Sequence, residues 1–183
     1  MWTAVFLLAV AIGALVLPHL IGFVSQHPDQ YANLPGPAFD PRRHLNGPIQ
    51  CEGVIYGPLG RVTARFVARM AGRWEGNRGT LTEQFHNDSG ERQNREWWLR
   101  LGNDDSLSAA ADDVVGSSHG MVSGPTVQML YNLRLPQRSG GHILSVNDWM
   151  YLTENGTIMN RSQFRKFGIK VAELVATMRP IPA

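Results

Sequence analysis

Four ionisable residues stand where apolar ones belong. Glu83, Arg95, Asp148 and Arg161 each fall on the face of an alternating stretch whose other members are apolar. A carboxylate or guanidinium turned into a core needs a partner or a ligand there, because burying an uncompensated charge is costly. Hairpin arithmetic predicts which of them meet. His86-Asn87-Asp88-Ser89-Gly90 reads as a three-residue loop with a left-handed glycine, setting Leu81 against Trp97, Glu83 against Arg95 and Phe85 against Gln93. Asn155-Gly156 reads as a two-residue hairpin, setting Glu154 against Thr157, Leu152 against Met159 and Met150 against Arg161. Asp148 then lies diagonal to Arg161. Two acid–arginine pairs are expected on an apolar face, with Trp74, Phe66, Met70, Trp97, Met129, Tyr131 and Met150 as the surrounding wall. One reading is structural: removing one partner of such a pair costs about 3–5 kcal/mol, which alone accounts for keeping it. The other is a ligand site, since pockets are mostly apolar with a few convergent polar groups. On that reading the ligand-binding residues are Glu83, Arg95, Trp97, Asp148, Arg161, Trp74 and Tyr131.

Other chemistries find little support. The single cysteine, Cys51, lies in a predicted strand and can form neither an internal disulfide nor a cysteine-rich metal site. There is no zinc-ligand spacing, glycine-rich phosphate loop or nucleophile elbow. No metal and no cofactor is expected, and catalytic residues are not identified. If the chain is an enzyme, Glu83, Asp148 or one of Asp112 and Asp113 is the acid or base. The net charge is only +2, with basic residues spread along the chain, which argues against nucleic acid as a partner. Arg61, Arg65, Arg69 and Arg73 form a row on one strand face, either solvated or facing anionic lipid or an acidic partner.

The elements that must position these residues are mostly strands. From 62 to 74 the even positions read Val, Ala, Phe, Ala, Met, Gly, Trp, while arginine recurs among the odd ones. Val127, Met129, Tyr131, Leu133 and Leu135 alternate likewise, and further strands are expected over 142–152 and 169–178. Eight or nine short antiparallel strands without a strong helix suggest a barrel or a sandwich. Ahead of them, residues 2–24 carry no Asp, Glu, Lys or Arg, a length that can span a hydrocarbon core. Pro18 and His19 leave a shorter apolar run that also fits a signal peptide, but no small-x-small cleavage site follows it, which favours an uncleaved anchor. The expected division is a signal-anchor or transmembrane helix over 1–25, a proline-rich linker over 26–48 and a β domain over 49–183.

Several motifs together resemble one bacterial family. They are Gly72-x-Trp74, Gly79-Thr80-Leu81-x-Glu83-x-Phe85, Asp88-x-Gly90, Arg95-x-Trp97, Asp112-Asp113-Val114-Val115-Gly116, Asp148-Trp149-Met150-Tyr151-Leu152, and Asn160-Arg161-Ser162 with Lys166-Phe167-Gly168. The family is domain-of-unknown-function family 3833, and the match runs over roughly 39–178. The resemblance implies a mainly β, antiparallel, lipocalin-like (calycin-type) barrel in a bacterial envelope protein. Relatives resemble lipoproteins with a cysteine just after the signal; this chain has none there, so a membrane-spanning helix would replace the lipid. Family genes often lie near fatty-acid-modification genes. The expectation is a non-catalytic module that binds a lipid, fatty acyl chain or other hydrophobic small molecule, anchored in the inner membrane with its β domain in the periplasm. The alternatives are a lipid-modifying enzyme using an interior carboxylate, and an accessory subunit with an envelope protein partner.

Overall fold

In a computed structural model, residues 22–182 are described continuously, together with 2, 3, 5–7, 10, 13 and 17. The anchor expected over 1–25 therefore lies largely outside the described residues. Among the described residues no helix is long and apolar enough to cross a membrane, which says nothing of strands.

Ten strands follow one another: β1 (Gly47–Tyr56), β2 (Val62–Glu75), β3 (Arg78–Asn87), β4 (Arg92–Leu101), β5 (Ser106–Ala110), β6 (Val114–Ser123), β7 (Thr126–Arg134), β8 (Ile143–Leu152), β9 (Ile158–Lys166) and β10 (Ile169–Pro180). Each pairs antiparallel with its neighbours in sequence, and β1 pairs with β10 from Ile49↔Pro180 to Tyr56↔Glu173. The result is a closed up-and-down barrel of the lipocalin-like kind, with ten strands rather than eight or nine. The count was short because β5 is Ser-Leu-Ser-Ala-Ala and β6 carries two glycines and a register shift between Val115 and His119. Alanine, serine and glycine give little strand signal.

Alternation fills the interior as expected. On β2, Phe66, Ala68, Met70 and Gly72 are buried, while Arg61 just before the strand and Arg65, Arg69 and Arg73 along it are exposed. The Glu83↔Arg95 register of the β3–β4 hairpin is also as predicted.

The proline-rich segment before β1 is packed rather than a spacer. Asp40 caps the short helix α1 (Pro41–His44) by accepting from the Arg42 backbone N–H. Phe39 and Leu45 belong to the barrel core. The Ser123 hydroxyl donates to the Pro28 carbonyl at 2.7 Å, and the Phe39 N–H donates to the Gly124 carbonyl at 2.8 Å. Further back, the Tyr31 ring packs on Trp149 with centroids 5.1 Å apart. Trp149 sits on the outward face of β8, yet it is fully buried because this segment covers it. Glycine is required at 72 by close approach: an added Cβ would overlap the Leu45 carbonyl, which also accepts from the Trp74 indole N–H at 3.0 Å.

Gly72→Ala is expected to push the Leu45 carbonyl off β2 and cost about 1–3 kcal/mol in urea unfolding, with faster proteolysis within 32–46. Unchanged stability and unchanged proteolysis would show that the segment is not docked as described.

Candidate functional site

The barrel interior is not filled. A cavity of about 260 Å³ runs between Leu45 at one end and Asn87, Gln93 and Leu133 at the other. Phe66, Phe85, Trp97, Met129 and Met150 supply its apolar wall, and Glu83, Arg95, Asp113, Tyr131 and Asp148 its polar cluster.

Arg95 comes from β4 and Asp113 from the β5–β6 turn. Their Nη2 and Oδ1 lie 2.9 Å apart, and the guanidinium sits over the Trp97 ring, 3.9 Å from its centroid. The approach lacks hydrogen-bond alignment, so Arg95 Nε and Nη2 and Asp113 Oδ1 are sealed from solvent without a hydrogen bond. Glu83 faces Arg95 across the strand pair but, among the described residues, has no cation within 4 Å, although it is only 8% exposed. Burial pushes its carboxyl up to about 7; Arg95 and Trp97 oppose the rise, and Asp148 and Asp113 add to it. Tyr131 on β7 packs edge-on to Trp97 at 5.3 Å, and burial raises its phenol far above the ordinary range. It therefore stays protonated.

Asp148 on β8 is partnered differently from the expectation. The β8–β9 loop is closed by Thr153 N–H to Thr157 carbonyl at 2.9 Å and by Gly156 N–H to Thr153 carbonyl at 3.0 Å, with Gly156 at φ +80°. This is a three-residue loop, Glu154 to Gly156. The register moves by one: Met150 faces Asn160, Trp149 faces Arg161 and Asp148 faces Ser162. A one-residue slip sends each side chain to the other face. Asn160 and Ser162 point inward, and both donate to Asp148 Oδ1, the Ser162 hydroxyl at 2.7 Å. Burial nonetheless holds the Asp148 carboxyl above its usual range.

Two expected site residues are therefore not at the cavity. Arg161 points outward, pairs with Glu173 and lies over the Phe23 ring at 4.6 Å. Trp74 is held at the end of β2 by its bond to Leu45 and lines no part of the cavity. Glu83, Arg95, Trp97, Tyr131 and Asp148 are brought together. Asp113, Asn160 and Ser162 were missed as ligand contacts. All three lie inside the motifs Asp112-Asp113 and Asn160-Arg161-Ser162, which was the available signal.

A family model described as "Protein of unknown function (DUF3833)" matches residues 17–180. No curated protein matches the chain. Among solved structures, the S-type phycobiliprotein lyase CPES from Guillardia theta superposes with a TM-score of 0.60 at 6% identity, covering 86% of this chain and 99% of that one. Rv2717c from M. tuberculosis gives a TM-score of 0.54 at 16% identity, covering 76% of this chain and 94% of its own. At such identities the likeness is one of fold.

The raised carboxyl of Glu83 predicts a pH effect. Its folded value, about 7, lies above the ordinary 4.5. The native state thus holds a proton that the unfolded state has released. The associated stability is complete below pH 4.5 and is lost as pH rises through 7, up to about 3 kcal/mol. Glu83→Gln is expected to lack that loss, so the variant gains on the parent between pH 5 and 8 in urea unfolding. Parallel pH profiles would mean that Glu83 is solvated and ordinary.

Proposed function

We propose that this chain, which belongs to the DUF3833 family, is a non-catalytic binding module for a hydrophobic small molecule, a lipid or a fatty acyl chain. The cavity carries the reading: an apolar, partly aromatic hollow with one polar cluster is the usual form of a small-molecule site. Its volume, about 260 Å³, lies just below the roughly 300–1,000 Å³ typical of such sites. That suits one chain or one small ring system better than a whole multi-chain lipid. The uncharged run over 2–24 is long enough to span a hydrocarbon core and so supports placing the module at a membrane; a bacterial inner membrane with the barrel in the periplasm is what the family resemblance implies. The exposed arginines of β2 offer a face for anionic headgroups or an acidic envelope partner.

Glu83 supports a second reading. A carboxyl with a value near neutrality on a cavity wall is suited to accept or return a proton, the requirement for a general base in a lipid-modifying enzyme. Lipids of an envelope extract that test binding would then also be converted.

Native mass spectrometry of the full chain, incubated with an envelope lipid extract, is expected to show one apolar molecule per barrel. Leu133→Trp, which places a large ring at the cavity wall, is expected to reduce that occupancy at least tenfold while leaving the unfolding midpoint within a few degrees. No bound molecule in either protein would sink the carrier reading, and turnover that Glu83→Gln abolishes would replace it with the enzymatic one.

A further inference from the structure

The cavity's polar groups specify a ligand chemistry more closely than apolarity does. Three carboxylates, Glu83, Asp113 and Asp148, share one guanidinium, Arg95. That guanidinium is already engaged. Asp113 lies 2.9 Å from Nη2, the Trp97 ring covers its face, and Nε and Nη2 are buried, which leaves Nη1 as the one nitrogen not sealed. Two of the carboxylates, by contrast, have no such partner. Glu83 is 8% exposed, lines the cavity and, among the described residues, has no cation within 4 Å. Asp148 receives both its donors, Ser162 and Asn160, on Oδ1. Among the described residues no hydrogen bond reaches its Oδ2. Tyr131 lines the same space. A cavity with three carboxylates to one cation, and that cation already paired with Asp113, is the reverse of a carboxylate-binding site.

Resting on the carrier reading, we infer that the polar end of the ligand is a protonated amine, an ammonium on an apolar chain or ring, held by Glu83 and Asp148. An ammonium brings three donors and no acceptor. It meets two carboxylates left without a cation and an apolar wall for its stem. A fatty acid would instead bring another anion to a site already over-supplied with them, and an alcohol would leave the charge excess in place. The groups facing Glu83 are Arg95 from β4, Asp113 from the β5–β6 turn, Asp148 from β8, Tyr131 from β7 and the Cys51 thiol from β1. Burial pushes that thiol up to about 12 and keeps it neutral. β2 and β9 present no titratable side chain to it. Of these groups Glu83 is the one placed to give up a proton near neutrality when a cation arrives. Ammonium binding is therefore coupled to proton release.

The test is a chain-matched series on the full-length protein: octylamine, octanol and octanoate, titrated calorimetrically at pH 6, 7 and 8. Octylamine remains an ammonium ion throughout this range. It is expected to bind at least tenfold more tightly than octanol or octanoate at pH 8, and to gain affinity from pH 6 to 8. Asp148→Asn is expected to weaken octylamine at least tenfold and octanol little. Glu83→Gln, a neutral isostere, is expected to remove the pH dependence and serves if Asp148→Asn does not fold. Octanoate or octanol binding as tightly as octylamine would overturn the inference and leave the carrier reading intact. If none of the three binds, the carrier reading falls and the ammonium with it.

Discussion

The pairing of β1 with β10 is the constraint on which everything else rests. It joins the first and last strands over eight register positions, so every strand in the barrel has a neighbour on both sides. Closure removes sheet edges and makes the inner face a bounded volume. Barrel diameter grows with strand number, and about eight strands are already just wide enough for side chains to fill or for one small ligand. Ten strands leave more room than the inward side chains occupy, even with Trp97, Phe66, Phe85 and Tyr131 among them. The segment before β1 completes the enclosure by bringing Leu45 against the inside end of β2. An interior carboxylate then faces neither bulk water nor close packing.

Two charged clusters show what this enclosure changes. Outside, Arg161 and Lys170 share Glu173. Burial alone would raise the Glu173 carboxyl, but hydrogen bonds from Lys170 and Arg161 hold it below its usual range. That cluster is balanced in favour of the carboxylate, and Phe23 packs over its arginine. It is sufficiently explained as an anchor for the lead-in segment. Inside, Glu83 and Asp148 are both raised by burial, and their partners do not reverse the shift. Well-packed apolar residues often replace buried charges at no cost in stability or with a gain. A cluster that destabilises its own ionised form is therefore poorly explained by stability, and well explained by something that enters the cavity.

Much of this was legible in the residues and some of it was not, for identifiable reasons. The β2 alternation and the β3–β4 register could be read because each rests on one dominant local signal: strict period two in the first, a three-residue loop ending in Gly90 in the second. β5 lacks strong strand formers, and in β6 the valines at 114, 115 and 122 are separated by Gly116, two serines and Gly120, so neither gives a clear alternation. Prolines break regular structure and so mark the lead-in as a linker, yet Pro28 and Pro41 are themselves buried. Trp149 was unreadable in principle. It lies on the polar-patterned face of β8, where Tyr151 stacks on it from the same strand and a non-local partner, Tyr31, packs against it from the lead-in segment.

The β8–β9 turn matters most, because a single residue there sets the charge of the cavity. Asn155-Gly156 as a two-residue turn would carry Arg161 inward beside Asp148. The interior would then hold two acid–arginine pairs, a balanced core with no demand for a cation. Instead the Asn155 side chain accepts from the Thr157 N–H at 3.0 Å, and the Thr153 hydroxyl donates to the Thr157 carbonyl at 2.7 Å. These bonds favour the longer loop with only Gly156 left-handed. Arg161 is sent to the outer surface, and Asp148 is left with the neutral donors Ser162 and Asn160. Neutral donors orient a carboxylate without cancelling its charge. The loop chemistry of Thr153, Asn155 and Thr157, remote from the cavity, thus decides that the cavity is acidic, and through that, which ligands it can hold.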